Sequence, residues 1–382
     1  MNAPPRSFLI ACGGTGGHLS PGIALAAALM ERGHGTRLLI SHKKVDARLS
    51  DKYPDLRFDR VPSAPFGWRP DVHLRFHWKQ TLGLIFSLKL IRRMRPDAIV
   101  GFGGFTNAGV VIAGRLSRVP VALHEANRVP GRAIRVLSRF SERLYLPPGV
   151  RLPGRLGLLV RHVGLPVRSE IVRLTRAEAR IRLGFDPMQK LLVVVGGSQG
   201  SEPLNQWVDD NVAALAHEGV QVFCLTGLGK RPAGVRELKS KIGETVRAWS
   251  EPFSDRMGEL LSAADLVVSR AGAGTLAELV RCEKPAILIP FPHAADNHQW
   301  ANARYFEQQG GGLVIDQARM DTLRQEVLDV LFNDWLLNKF RDNLCRMSRA
   351  NSIDTIVHDL EQLAARIPPA RHLRHTPAPM PS

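Results

Sequence analysis

SFLIACGGTGGH (7–18) decides the fold: a short apolar run enters a glycine loop and then an Ala/Leu-rich segment that continues to about Arg32. An unbroken apolar run of this length bounded by glycine predicts a buried strand, Ser7–Cys12, and the Ala/Leu segment behind it predicts a helix ended by Gly33-His34-Gly35. Thr36–Ser41 reads as the next strand. Ala98–Val100 and Val121–Leu123 follow, each behind a turn signal at Arg95-Pro96 or Val119-Pro120. Strand, loop and helix in alternation imply a parallel sheet with helices on both faces. Pro and Gly then crowd together over 147–166, the expected interdomain hinge, and the pattern restarts at LLVVVGGSQGS (191–201). Later strands are expected at Gln221–Leu225, Leu266–Ser269 and Ala286–Pro290. A chain of 382 residues also exceeds what one core serves. The expectation is an α/β protein with two Rossmann-like domains facing across a cleft, over 1–164 and 165–340. A C-terminal helix over 341–365 should pack back on the first domain, and the Pro-, Arg- and His-rich tail, 366–382, should be disordered.

The charge is uneven. Residues 1–160 hold 25 Lys+Arg against 9 Asp+Glu, while the remaining residues hold 27 against 26. A first half this basic should face something anionic, such as acidic lipid headgroups, a polyphosphate or nucleic acid. No aromatic-basic stacking motif supports nucleic acid, which is not expected as a partner. Cys12, Cys224, Cys282 and Cys345 are scattered without a CxxC pair or nearby His, so neither a disulfide framework nor a metal site is expected. No apolar run approaches the ~18 residues that span a bilayer, and the N-terminus lacks a signal-peptide core, so a cytoplasmic protein is expected.

The chemistry is expected at the strand ends. In GGTGGH (13–18), glycines allow close backbone approach, and the free N–H groups of the following helix suit a phosphate. The spacing is not GxGxxG, and Ser41-His42-Lys43-Lys44 ends the second strand without the acidic residue of an NAD site, which argues against a dehydrogenase. His18 at the helix start could take a proton from a sugar hydroxyl, or simply cap the helix or bind phosphate. Glu125 in HEAN (124–127) is the rival base, with Asn127 beside it as a sugar partner or a turn former. GGSQG (196–200) repeats the phosphate-loop logic. RAGAGT (270–275) opens a helix whose Glu278 could accept both hydroxyls of a ribose, and DNHQ (296–299) supplies amide and imidazole groups for sugar hydroxyls.

The segment 73–95 is apolar nearly all round between Leu82 and Ile91, with Trp78 before it and Arg92, Arg93 and Arg95 after it. Such a helix could dip into anionic lipid through Trp78, Leu82, Ile85 and Phe86, or lie buried on both sides.

Together, GGTGGH (13–18), GFGGF (101–105), HEAN (124–127), VGLPVR (163–168), GGSQGS (196–201), RAGAGTLAE (270–278) and DNHQ (296–299) closely resemble the MurG family, and the resemblance covers about residues 1–360. The pattern departs from the family's at Thr106-Asn107-Ala108, where Ser-Gly-Pro is usual, and at Ala126, where Gln is usual. The resemblance implies a glycosyltransferase of the B type that inverts configuration without metal or other cofactor. It would move N-acetylglucosamine (GlcNAc) from UDP to undecaprenyl-diphosphate-linked muramyl-pentapeptide, a step of peptidoglycan synthesis. The first domain would then bind acceptor and membrane, and the second UDP-GlcNAc. Thr15, Gly16, Gly17, Asn127, Arg168, Ser198, Ser254, Gly272, Thr275, Glu278 and Gln299 would contact the donor. Gly13, Gly14, Gly103 and Gly104 would form an acceptor-diphosphate loop, and His18 or Glu125 would be the base. The protein would lie on the cytoplasmic face of the inner membrane, with room for other cell-wall synthesis or division proteins as partners. Two rivals are a UDP-GlcNAc 2-epimerase of similar fold, which needs no lipid, and a non-catalytic membrane adaptor.

Overall fold

The structure, a computed structural model, describes residues 4–13, 16–64, 69–153, 159–197, 199–348 and 352–366. Two seven-stranded sheets organise it. The first contains β1 (Ser7–Ala11), β2 (Gly35–Ile40), β3 (Phe58–Arg60), β4 (Ala98–Gly101), β5 (Val121–His124), β6 (Arg143–Leu146) and β7 (Leu159–His162). All are parallel, in the order β3-β2-β1-β4-β5-β6-β7. The second contains β8 (Lys190–Val195), β9 (Val220–Leu225), β10 (Gly234–Lys239), β11 (Thr245–Glu251), β12 (Leu266–Ser269), β13 (Ala286–Leu288) and β14 (Gly312–Val314), in the order β10-β11-β9-β8-β12-β13-β14. Only the β10–β11 pair is antiparallel among the described strands. In each sheet the direction of winding reverses beside the first strand, between β1 and β4 and between β8 and β12. Ligands of open α/β sheets bind in the crevice beyond the strand ends at such a switch point.

The first domain carries α1 (Gly16–Glu31), α2 (Lys44–Ser50), α3 (Pro70–Met94), α4 (Asn107–Leu116) and α5 (Arg132–Leu137). The second carries α6 (Arg176–Leu183), α7 (Glu202–His217), α8 (Met257–Ala263), α9 (Ala273–Arg281), α10 (His298–Gln308), α11 (Leu323–Leu331) and α12 (Asp334–Ser348). The last helix, α13 (Ser352–Ala365), returns to the first domain. The stretch read as one C-terminal helix is thus two: Leu337 and Phe340 of α12 pack in the second core, whereas Ile356, Val357, Leu360 and Leu363 of α13 pack with Phe8, Leu25 and Leu29 in the first. The expectation for the tail falls almost wholly outside the described residues.

A buried polar cluster holds α13 in place. Asp359 Oδ2 accepts from Arg143 Nε (3.1 Å) and the Tyr145 hydroxyl (2.8 Å), and Oδ1 accepts from Arg161 Nε (3.3 Å). His34 Nδ1 accepts from the Arg6 N–H, which fixes the Nε2 proton that His34 gives to Glu361 (3.0 Å). Where the chain leaves the first sheet, the Gly164 N–H donates to Ser352 Oγ at 2.8 Å, so the outgoing and returning segments touch.

Within the Pro/Gly-crowded stretch β7 still pairs with β6 and so belongs to the first sheet. The structure also divides the apolar ring of α3. Leu84, Phe86, Leu88, Leu90 and Ile91 pack on the first core, so Phe86 is not part of an exposed patch as expected. Leu82 is half-buried. Leu74, Trp78 and Ile85 lie 73, 63 and 45% exposed, and their spacing places them on one face of the helix. Among the described residues no helix is long and apolar enough to cross a membrane.

Candidate active site

At the first switch point the glycine loop is built for close packing. A side chain on Gly13 would run into the end of β2, and the Gly13 carbonyl accepts from Thr106 Oγ1 at 2.7 Å. Asn107 Nδ2 donates to the Gly103 carbonyl. Thr106 therefore ties the two glycine loops of this domain together, while Asn107 braces the second loop from within. Gly103 and Gly104 have φ of +91° and +79°, a conformation that side chains resist. They form the surface against which the His18 ring lies, since a Cβ on Gly104 would sit 3.3 Å from His18 Nδ1. Burial pushes His18 down to about 4, with the charges of His298 and Lys43 adding and Asp46 opposing. The imidazole is therefore neutral near pH 7. Gly14, Thr15 and Ser198 lie outside the described residues.

Glu125 is the other base candidate, and its carboxylate is already occupied. Oε1 accepts from the Asn127 N–H (2.8 Å) and from Asn127 Nδ2 (3.2 Å), and Oε2 accepts from the Gly131 N–H (2.7 Å). Burial raises its pKa while these amides lower it. Such a carboxylate shapes the loop leading into α5. Its neighbour His124 stacks on Phe102 with centroids 5.2 Å apart and meets the Gly164 carbonyl at 3.2 Å, and burial pushes it to about 4.

At the second switch point, Gly197 and Gly200 have φ of +82° and +65°. Gly272 occupies the N-cap position of α9, followed by Thr275, with Glu278 one turn further. Glu278 Oε1 lies 3.5 Å from Arg168 Nη2, and Arg168 Nη1 reaches Glu170 (3.0 Å) and the Tyr53 hydroxyl (3.1 Å). Burial raises the pKa of Glu278, and Arg168 opposes that rise. Gln299 accepts from the Phe291 N–H at 3.0 Å, and Ser254 Oγ from the Arg256 N–H at 3.2 Å. Lys52 of the first domain lies 4.2 Å from the Phe253 ring centroid and pairs with Asp255.

The two sites face one another. Asp296 and Asn297 adopt left-handed backbone (φ +50° and +53°), and Asp296 pairs with Arg132 and Arg135 of α5. That docking brings His298 within electrostatic reach of His18. The residue missed from sequence is Asn302, buried on α10. Its Oδ1 accepts from the Arg128 N–H (2.9 Å), and its Nδ2 donates to Asn127 Oδ1 and the Ala271 carbonyl (both 3.1 Å). Its one sequence signal is a polar residue on the face of α10 that also carries Phe306. A cavity of about 580 Å³ opens at the hinge between α1, α9 and α10, but none of His18, Arg168, Glu278 and Gln299 lines it.

Residues 8–146 match the glycosyltransferase family 28 N-terminal domain and residues 191–356 its C-terminal domain. A protein of Opitutus terrae is 61% identical over 94% of this chain and 95% of its own length, and one of Parasynechococcus marenigrum is 35% identical over 93% and 99%. Each is named UDP-N-acetylglucosamine--N-acetylmuramyl-(pentapeptide) pyrophosphoryl-undecaprenol N-acetylglucosamine transferase. Among solved structures, Acinetobacter baumannii MurG superposes with a TM-score of 0.70 at 24% identity, covering 94% of this chain and 99% of that one. The calicheamicin glycosyltransferase CalG4 superposes with a TM-score of 0.67 at 14% identity, covering 96% and 100%. These likenesses show the two-domain glycosyltransferase B fold. With both family-28 domains present and such close relatives along nearly its whole length, the chain belongs to the MurG family of N-acetylglucosaminyltransferases.

Proposed function

We propose that this protein transfers GlcNAc from UDP-GlcNAc to the 4-hydroxyl of undecaprenyl-diphosphate-linked muramyl-pentapeptide, with inversion, on the cytoplasmic face of the inner membrane. The observation that carries the mechanism is the position of His18 against the Gly103-Gly104 turn at the first switch point, with His298 of the second domain within electrostatic reach. The muramyl oxygen attacks the anomeric carbon of GlcNAc while His18 takes its proton. The bond from that carbon to the β-phosphate oxygen breaks, and its electron pair leaves with UDP. His18 is favoured over Glu125 because three N–H groups already bind the Glu125 carboxylate. Arg168 is suited to the diphosphate and Glu278 to the ribose hydroxyls. Gln299 and Asn127 are suited to the sugar, and the backbone at Phe253-Ser254 to the uracil edge. The Gly272 end of α9 receives developing phosphate charge, as preorganised N–H donors do.

The test is UDP release measured with and without the lipid-linked acceptor. Release that requires acceptor is expected. Steady conversion of UDP-GlcNAc to its 2-epimer without acceptor would overturn the reading in favour of an epimerase, and absence of release in both arms would favour an adaptor.

The membrane-facing surface is the α3 stripe of Leu74, Trp78 and Ile85, which continues into exposed Lys89 and Arg92. Trp78→Glu combined with Ile85→Glu should weaken sedimentation with anionic vesicles by at least about tenfold, since each side chain buried in lipid contributes roughly 1.5 kcal/mol or more. Unchanged vesicle binding would remove α3 from that role.

A further inference from the structure

Arg270 directly follows β12 and is 6% exposed. Its Nε and Nη2 donate to Ser201 Oγ (3.1 and 2.9 Å), and Nη1 donates to the carbonyls of Ile289 (3.1 Å) and Pro290 (3.3 Å). Nη2 also donates to Gln317 Oε1 at 2.6 Å. Every one of these acceptors is neutral, and no carboxylate pairs with Arg270 among the described residues. Other buried arginines differ: Arg143 meets Asp359, and Arg180 meets Asp265. Burial lowers the pKa of the Arg270 guanidinium, yet an arginine remains charged at any working pH.

A buried cation without a counter-charge costs stability that a pair would largely offset. Its position gives that cost a use. Ser201 closes the Gly196–Ser201 loop at the start of α7, and Arg270 stands two residues before the N-cap of α9. The guanidinium therefore lies between two helix N-termini, at the switch point of the second sheet.

We propose that Arg270 is a positioning residue for the leaving nucleoside diphosphate, its uncompensated charge held behind the two glycine loops so that the diphosphate itself becomes the counter-ion. The inference rests on the functional reading above and deepens it. As the anomeric C–O bond breaks, the charge gathering on the β-phosphate develops in the field of a cation that no described carboxylate pairs with.

The decisive variant is Gln317→Glu, which sets a carboxylate against the guanidinium without removing it. Affinities for UDP and for uridine, measured on the full-length protein by calorimetry and ligand-observed NMR, separate phosphate attraction from base recognition. Gln317→Glu should weaken UDP about tenfold, lower kcat, leave uridine within about twofold, and keep or raise the melting temperature, as a buried charge a few ångströms from the diphosphate predicts. Arg270→Gln should do the same more strongly, and Arg270→Lys should recover most of the UDP affinity. Parallel losses of UDP and uridine, or an unchanged UDP-to-uridine ratio in Gln317→Glu, would overturn the proposal whether or not Arg270→Gln folds. If the unmodified protein failed to bind UDP, the functional reading would fall first and take this inference with it.

Discussion

Replacing His18 with alanine should lower kcat by about 10²–10⁴-fold, the range for removing a general base, while UDP-GlcNAc affinity stays within a few-fold. The ring rests on the Gly103-Gly104 turn of the first domain, whereas the Arg168–Glu278 pair proposed for the donor involves α9 of the second. Its neutrality gives a second readout. A base must be deprotonated to act, so activity persists above its pKa and falls as pH drops through it. With His18 held near 4, kcat/KM should stay flat from pH 8 down to about 5.5, where an unperturbed histidine near 6.5 would already have cut it tenfold. An acid limb near 6.5 that vanishes in the alanine variant would refute the burial argument but keep the role. Full turnover in His18→Ala, with none in a folded Glu125→Gln, would exchange the roles of the two residues.

Asp359→Ala should destabilise the first domain by about 3–5 kcal/mol, because it strips Arg143, itself 3% exposed, of its buried carboxylate. Tyr145 and Arg161 lose the same partner. A fall in melting temperature on the order of 10 °C is expected for a domain of this size, with Asp359→Asn falling less because it retains one acceptor oxygen. UDP binding by the second domain should survive. A shift below about 2 °C would show that Arg143 finds another partner or reaches water.

The elements most legible in the sequence are those buried on both faces. Leu191–Val195 reads as a strand because nothing polar interrupts it, and the glycine loops that follow such strands mark both switch points. The β10–β11 hairpin was missed because its residues are mostly exposed and charged, with Arg236, Glu237 and Lys239 on an edge strand, a pattern that guards an edge but resembles a loop. Strand β7 is hidden for the same reason. On α3, composition located the apolar segment but not its sides: Phe86 and Ile85 are adjacent and equally apolar, and only the position of α4 and the first core sends one inward. At the site, residue type made His18 and Glu125 equal candidates. The amides of Asn127 and Gly131 that occupy the Glu125 carboxylate, which favour His18 in the proposed mechanism, are contacts that residue type alone does not encode. Asn302 and Arg270 act through contacts with residues far away in sequence, which no local pattern encodes.

The contact between Gly164 and Ser352 has a mechanical consequence. Gly164 and Ser352 touch where the chain leaves and re-enters the first lobe, and away from that point Asp296 with Arg132 and Arg135, Asn302 with Asn127, and Lys52 with Asp255 clasp the lobes together. Swinging about the Gly164–Ser352 contact has to release those outer clasps first, whereas sliding one lobe past the other would have to break the Gly164–Ser352 contact as well. The first lobe also borrows its last helix from the far end of the chain. A fragment cut near residue 164 would therefore leave Phe8 and Leu25 without the α13 side chains that cover them, and should aggregate rather than fold.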